Sequence, residues 1–101
     1  MPRTIFQVHI KSNGRIRDGH CRKSLSKSAG DGVRWIASDG GPWTIRFVDG
    51  SPFRSSTFKN ISPGNPAESG PAVGAVGKTY KYEVRNADGE LTDDPDILIE
   101  P

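Results

Sequence analysis

The sequence predicts an all-β domain, a Greek-key antiparallel sandwich of two sheets, on three observations. First, 12 glycines and 8 prolines in 101 residues divide the chain into short segments, well above the average share of about 12% for these two residues. Second, most of these segments alternate apolar and polar residues, which is typical of half-buried strands. Third, no segment has the helical 3.6-residue period. Because so short a chain supports one hydrophobic core, we expect a single domain over residues 1–101.

The predicted strands follow one another with turn signals between them. Four segments alternate apolar and polar residues, and their ranges are 4–11, 33–38, 43–48 and 79–85. A last short strand is expected at residues 97–99, between Pro95 and Pro101. Residues 22–28 are polar apart from Leu25 and indicate an edge strand. Residues 53–61 contain Phe53, Phe58 and Ile61 without a clean period. Residues 62–77 are rich in Pro and Gly and predict a loop. Four aromatic residues are expected to fill the core: Trp35, Phe47, Tyr80 and Tyr82.

Two turns have clear chemistry in the sequence. Ser12-Asn13-Gly14-Arg15 contains Asn-Gly, which tolerates the two positive φ angles of a type I′ turn. Asn86-Ala87-Asp88-Gly89 is a second hairpin-type signal, directly after a predicted strand.

Composition excludes several classes of protein. No apolar run approaches the roughly 18 residues of a membrane helix, and a single cysteine, Cys21, excludes an internal disulfide and a CxxC metal knuckle. With Met1 as the natural start, the first residues lack the apolar core of a signal peptide. We therefore expect a cytoplasmic protein without membrane contact, and the sequence leaves its oligomeric state open.

Charge is distributed unevenly along the chain. Residues 1–35 carry eight Lys and Arg against two Asp, whereas residues 88–101 carry six acids and no base. The favoured interpretation is internal compensation, with a basic first strand beside an acidic last strand. The alternative is a nucleic-acid surface, whose candidate residues are Arg15, Arg17, Arg22, Lys23 and Lys27. Residues 11–27 contain no aromatic residue for base stacking, so this alternative ranks behind a protein-binding function.

Motifs that carry catalysis or bind cofactors are incomplete. His20 and Cys21 are adjacent, so their side chains diverge and do not form a nucleophile–base pair. Gly77-Lys78-Thr79 matches only the end of a phosphate-binding loop, because Ala72 stands where the first Gly is needed. The acids of residues 88–96 lack the spacing of a calcium loop, and a looser divalent-ion site on Asp93, Asp94 and Asp96 stays open. We predict no enzymatic activity, catalytic residue, metal or cofactor.

Two segments resemble the cupredoxins, a family of Greek-key sandwiches that bind copper. Residues 30–47 read GDGVRWIASDGGPWTIRF, which resembles the family pattern G-D-x-V-x-W followed by a proline loop and a strand of the form x-V-x-F. Residues 77–84 read GKTYKYEV, which is similar to the family strand G-x-Y-x-Y/F-x-C. The resemblance covers about 60 residues and implies a cupredoxin-like or immunoglobulin-like fold.

The copper ligands of that family are missing at the matching positions. The first histidine corresponds to Trp43 and the thiolate to Val84, and no His or Met follows in residues 85–89. A blue-copper site needs these soft ligands, so the resemblance does not carry over the metal. It does imply a partner surface at the former metal end, with Pro42, Trp43, Phe53 and Pro95 as candidates. Alternatively, Trp43 fills the end of the sandwich, since its parity matches Ile45 and Phe47.

The sequence thus predicts a non-catalytic, metal-free module that binds an unidentified protein partner. Two alternatives stay open: a copper or electron-transfer protein with an atypical site, and a weak nucleic-acid binder.

Overall fold

The computed structural model describes residues 3–17 and 22–101, and all regular structure in these ranges is β. Nine strands follow one another along the chain: β1 (Ile5–Ile10), β2 (Arg22–Ser26), β3 (Gly32–Ala37), β4 (Trp43–Phe47), β5 (Thr57–Ile61), β6 (Ala67–Glu68), β7 (Thr79–Arg85), β8 (Leu91–Asp93) and β9 (Asp96–Glu100). They form two packed sheets, so the predicted all-β sandwich is confirmed. No helix in the described ranges is long and apolar enough to cross a membrane.

The two sheets differ in size and both are mixed. The small sheet has the order β1-β3-β6, and the large sheet has the order β2-β9-β7-β4-β5, with β8 paired to β7. The pairs β1–β3 and β2–β9 are parallel, whereas the sequence predicts antiparallel sheets. For the β1–β3 pair, the intervening β2 lies in the large sheet, so the chain leaves the small sheet after β1 and returns in the same direction as β3.

The core lies between the sheets and follows the predicted alternation. The four aromatic residues expected in the core are all buried, with exposed fractions of 5% or less. The Trp35 ring is at the centre, with ring centroids of Phe47, Phe53 and Tyr82 at 6.3, 6.2 and 5.7 Å in edge-on orientations. Edge-on contacts of this kind stabilise aromatic pairs by about 0.5–1.5 kcal/mol beyond the area they bury.

The turn after β1 differs from the predicted type. Gly14 has a φ of 82°, but Asn13 does not have a positive φ, so the two positive angles of a type I′ turn are absent. Instead, the Gly14 amide donates to the Lys11 carbonyl, and an antiparallel bridge joins Ile10 to Ile16. Glycine is required here twice over, because a Cβ at this position would also lie 2.5 Å from Thr92.

The Pro/Gly-rich segment 62–77 is mostly irregular, as predicted, but it contains the two-residue strand β6. Its backbone is attached to both sheets. The Ala72 amide donates to the Asp31 carbonyl, the Val73 amide to the Pro52 carbonyl, and the Gly77 amide to the Ile99 carbonyl. The segment is therefore fixed by main-chain hydrogen bonds, although it lacks a periodic pattern.

A buried carboxylate joins the two sheets at one end. Asp31 is 7% exposed, and its Oδ1 and Oδ2 accept hydrogen bonds from the Thr4 amide at 3.1 Å and the Ser26 amide at 3.0 Å. Thr4 precedes β1, Ser26 ends β2, and Asp31 itself precedes β3. One side chain thus connects three strands by accepting two part-buried amides.

A bulge explains why residues 53–61 show no clean period. Across the β4–β5 pair, Trp43 lies opposite Ile61 and Ile45 opposite Phe58, so two residues of β5, Lys59 and Asn60, lie opposite one residue of β4. Asn60 takes up the extra length with a φ of 61°. Because of this extra residue, Phe58 and Ile61 both turn inward while Lys59 remains exposed on the opposite face.

Candidate functional site

The position that would hold a copper ligand by resemblance is filled by apolar side chains. Trp43 and Val84 lie on the neighbouring strands β4 and β7 and are 4% and 0% exposed. The indole Nε1 of Trp43 donates to the Asp39 carbonyl at 3.2 Å. Trp43 is therefore a core residue that fills the end of the sandwich, which agrees with the second of the two interpretations given for it above.

The candidate partner surface at that end is not supported by exposure. Of its four residues, only Pro42 is exposed, whereas Trp43, Phe53 and Pro95 are buried. Phe53 also packs against Phe47, at the opposite end of β4 from Trp43, with ring centroids 5.8 Å apart. Three of the four side chains are therefore buried in the protein and are not accessible to a partner.

The basic residues of the first third lie around β2 rather than on the first strand. Arg22 donates to both carboxylate oxygens of Asp96, at 2.8 and 3.0 Å, and the Lys23 ammonium lies 5.5 Å from the centroid of the Phe6 ring. The predicted compensation between basic and acidic strands therefore occurs, but between β2 and β9. Arg15, Arg17 and Lys27 are exposed on the turns that follow β1 and β2.

The Arg22–Asp96 contact has an electrostatic consequence. The hydrogen bond from Arg22 lowers the pKa of Asp96, against the smaller opposing effect of burial. A carboxyl whose pKa falls on folding contributes stability above its ordinary pKa, and that contribution is lost as the pH falls through the lowered value.

The acids considered as a divalent-ion site are each bound to a different partner. Asp93 Oδ2 accepts the Ile16 amide at 2.8 Å, Asp94 pairs with Lys81 at 3.3 Å, and Asp96 pairs with Arg22. Within residues 3–17 and 22–101, no group of three His, Cys, Asp or Glu side chains could hold a metal ion. His20 and Cys21, also considered as ligands, lie outside the described residues.

The structure reveals a different candidate site, a groove on the outer face of the large sheet. We call it the basic groove, and its lining residues are Thr44, Arg46, Thr57, Lys59, Arg85, Asn86, Ala87 and Gly89. Its volume is about 390 Å³, which lies within the usual range of about 300–1,000 Å³ for ligand sites. Strands β4, β5 and β7 form its floor, and the turn after β7 forms one wall.

Strand parity and register determine which side chains reach the groove. Residues that alternate with the buried Ile45 and Phe47 of β4 must point outward, and these are Thr44 and Arg46. Thr44 lies opposite Arg85 on β7, and Arg46 lies opposite Thr57 on β5. The β5 bulge brings Lys59 to the stretch opposite Thr44, between the two regular pairs.

The groove carries positive charge that the protein does not neutralise. Arg85 is held by Glu83 Oε1 at 3.0 Å and by the Gly89 carbonyl at 2.6 Å. Across the described ranges, Arg46 and Lys59 have no hydrogen bond or ion pair, and the hydroxyls of Thr44 and Thr57 have no hydrogen bond. Two cations and two hydroxyls are therefore available to an external ligand.

The wall of the groove is an ordered turn. Asn86 Oδ1 accepts the amides of Asp88 and Glu90 at 3.0 and 2.9 Å, and its Nδ2 donates to Glu90 Oε1 at 3.1 Å. The Gly89 amide donates to the Asn86 carbonyl at 3.0 Å. The Asn86 side chain thus shapes the groove, while its Oδ1 and Nδ2 atoms form hydrogen bonds within the turn. The turn predicted at residues 86–89 is confirmed.

This groove cannot be predicted from the sequence alone. Its charged residues come from three strands that are neighbours only after folding, and each one looks like an ordinary exposed strand residue. The outward parity of Thr44 and Arg46 is the one signal that the sequence offers.

No protein-family model matches the sequence, and no curated protein matches it.

We expect no copper site of the cupredoxin type, because Trp43 and Val84 are buried apolar side chains where that site needs a histidine and a thiolate. Addition of one equivalent of Cu²⁺ or Cu⁺ should produce no intense thiolate charge-transfer absorption. A Cys21→Ser variant serves as the control, since it removes the only thiolate of the chain. An intense blue or red stoichiometric species that disappears in this variant would establish a copper site.

Proposed function

We propose that the protein is a non-catalytic, metal-free binding module that recognises an acidic segment of a protein partner through the basic groove. The observation that carries the proposal is the pair of cations, Arg46 and Lys59, that line one groove and make no ion pair in the described part of the chain. Two other cations of the large sheet do make ion pairs, Arg22 with Asp96 and Lys81 with Asp94.

The architecture also supports a recognition surface at this position. The floor of the groove consists of hydrogen-bonded strands above a packed aromatic core, so its side chains project from a rigid base. Rigid presentation lowers the conformational entropy that is lost on binding. Complementary charge across an interface raises association rates and suppresses wrong partners. Our proposal also includes a relationship to the cupredoxins, which is supported by the two-sheet sandwich with a buried Trp35. It includes a cytoplasmic location as well, which is supported by the single cysteine of the sequence.

A protein partner suits the groove better than a nucleic acid. Binding to single strands combines cationic grooves with exposed aromatic rings on which bases stack. The two Trp, two Tyr and four Phe residues of this chain are all buried or half-buried. The basic groove therefore offers charge and hydroxyls but no stacking surface, and we expect oligonucleotides to bind weakly with a strong salt dependence.

The double substitution Arg46→Glu/Lys59→Glu tests the proposal. It reverses both unpaired charges at exposed positions, so the fold should be retained while the affinity for an acidic peptide falls by about tenfold or more, equivalent to ~1.4 kcal/mol. The measurement is fluorescence anisotropy with a labelled peptide of alternating Glu and Ser at low and at physiological salt.

The matched control is Arg15→Glu/Arg17→Glu, which makes the same change in net charge on exposed residues outside the groove. This control should retain most of the affinity. An equal loss in both variants would show that binding follows net charge alone and would reject the groove. Tight binding of an oligonucleotide at physiological salt would favour the nucleic-acid alternative.

A further inference from the structure

The donors of the basic groove point to a more specific ligand than a carboxylate. We propose, resting on the proposed function, that the groove binds a phosphorylated side chain of the partner. Its available groups are the Arg46 guanidinium, the Lys59 ammonium and the hydroxyls of Thr44 and Thr57. All four are hydrogen-bond donors, and neither cation makes an ion pair with the described residues. Glu83 lies opposite Arg46 across β4 and β7, but its carboxylate pairs with Arg85, so the three cations and one acid leave two positive charges in excess.

Charge matching favours a phosphate over a carboxylate. A phosphate monoester carries about −1.5 to −2 charges at pH 7 and three strong acceptor oxygens. Arg46 and Lys59 supply two unmatched positive charges, while the charge of Arg85 is already offset by Glu83. A single carboxylate has one negative charge, so it would leave one of the two positive charges unmatched.

Geometry brings these groups to one place. Thr57 is the direct cross-strand neighbour of Arg46, and the β5 bulge places Lys59 in the stretch opposite Thr44. Side chains that are directly opposite on adjacent strands have Cβ atoms about 4.5–5.5 Å apart. Cations and hydroxyls thus alternate across two strands within a few ångströms, which suits a compact ligand with several acceptor oxygens.

Arg85 contributes to the groove as a positioning residue. Its guanidinium is fixed between Glu83 and the Gly89 carbonyl, which closes the groove on the side of the turn. A ligand is therefore directed toward Arg46 and Lys59 on the open side, where donors are free.

Three peptides of one sequence test this inference, with a central phosphoserine, Ser or Glu. We expect the phosphoserine peptide to bind about tenfold tighter than the Glu peptide and the Ser peptide to bind most weakly. The variant Thr44→Val/Thr57→Val keeps shape and charge and removes both hydroxyls. It should reduce the affinity for the phosphoserine peptide by several-fold and that for the Glu peptide by a smaller factor, because a phosphate offers three acceptor oxygens and a carboxylate two. Thermal unfolding of this variant confirms that it is folded.

The pH dependence of the two peptide affinities gives a second readout, which distinguishes a phosphate from a carboxylate. The second phosphate pKa is about 6, whereas an ordinary Glu titrates near 4.3. The charged side chains facing the ligand are Arg46, Lys59, Arg85 and Glu83, and no histidine lines the groove among the described residues. Between pH 7.5 and about pH 5.5, phosphoserine peptide affinity should fall while Glu peptide affinity holds.

The outcomes separate this inference from the proposed function. Equal affinity for the phosphoserine and Glu peptides would overturn the inference and leave acidic recognition intact. No binding of either peptide would overturn both. Inorganic phosphate serves as a competitor of the phosphoserine peptide. If it displaces the peptide at concentrations near the peptide dissociation constant, the groove is assigned to a free phosphate compound instead of a partner side chain. Weak competition, at far higher concentrations, is the expected result.

Discussion

Replacing Trp43 by Ala is expected to lower the free energy of unfolding by roughly 3–5 kcal/mol, the usual range for deletion of a buried Trp. The ring is 4% exposed, and its Nε1 donates to the Asp39 carbonyl, so the substitution leaves both a cavity and an unpaired acceptor. Denaturant unfolding followed by circular dichroism measures the loss as a lower midpoint.

The control for this prediction is Leu91→Ala, because Leu91 is an apolar residue that is 51% exposed. Its substitution should change stability by less than about 0.5 kcal/mol. A loss of less than about 1 kcal/mol for Trp43→Ala would mean that the ring does not fill the core, and it would restore Trp43 as a candidate contact for a partner.

Asp31→Ala is expected to lower the free energy of unfolding by roughly 2–4 kcal/mol. Two amides, of Thr4 and Ser26, lose their acceptor, and each part-buried donor left without a partner costs about 1–3 kcal/mol. Asp31→Asn keeps the shape and one acceptor oxygen, so it should cost about half as much. Asp39→Ala is the control, since Asp39 is exposed and its carboxylate accepts the amide of the neighbouring Gly40 alone among the described residues.

Amide hydrogen exchange locates the effect of the Asp31 substitutions. The Thr4 and Ser26 amides should lose protection in Asp31→Ala before the centre of β7 does, because only those amides depend on the carboxylate. Unchanged exchange at both amides, together with unchanged stability, would show that the carboxylate does not join the strands.

Much of the fold can be predicted from the sequence because one physical rule dominates it. Alternation of apolar and polar residues in β1, β3, β4 and β7 reflects burial of one sheet face, and it identifies the strands and their inward residues. Phe53 is the exception among the rings, since it is buried although it lies outside any strand.

The pairing of strands is harder to predict, because it depends on long-range packing. Nothing in the local pattern shows that β1 pairs in parallel with β3 or that β2 pairs with β9. Strands β6 and β8 have two and three residues and are too short to show a period. The extra residue at Asn60 disrupts the pattern of β5, so the sequence indicates an irregularity there but not its cause.

The candidate site could not be predicted for the same reason. The basic groove needs β5 and β7 on opposite sides of β4, and its charge becomes apparent only when Arg22, Lys81 and Arg85 are seen to be paired while Arg46 and Lys59 are not. The distribution of charge along the sequence indicates residues 1–35 instead, where Arg22 on β2 is paired with Asp96 on β9.

The pairing of β2 with β9 has a consequence for synthesis of the chain. Arg22 and Asp96 are 74 residues apart in sequence, and β9 lies inside the large sheet, between β2 and β7. A nascent chain therefore cannot complete this sheet until residues 96–100 have left the ribosomal exit tunnel. Proteins dominated by such distant pairings fold in about milliseconds to seconds, so the β2 edge should stay accessible to chaperones until β9 pairs with it.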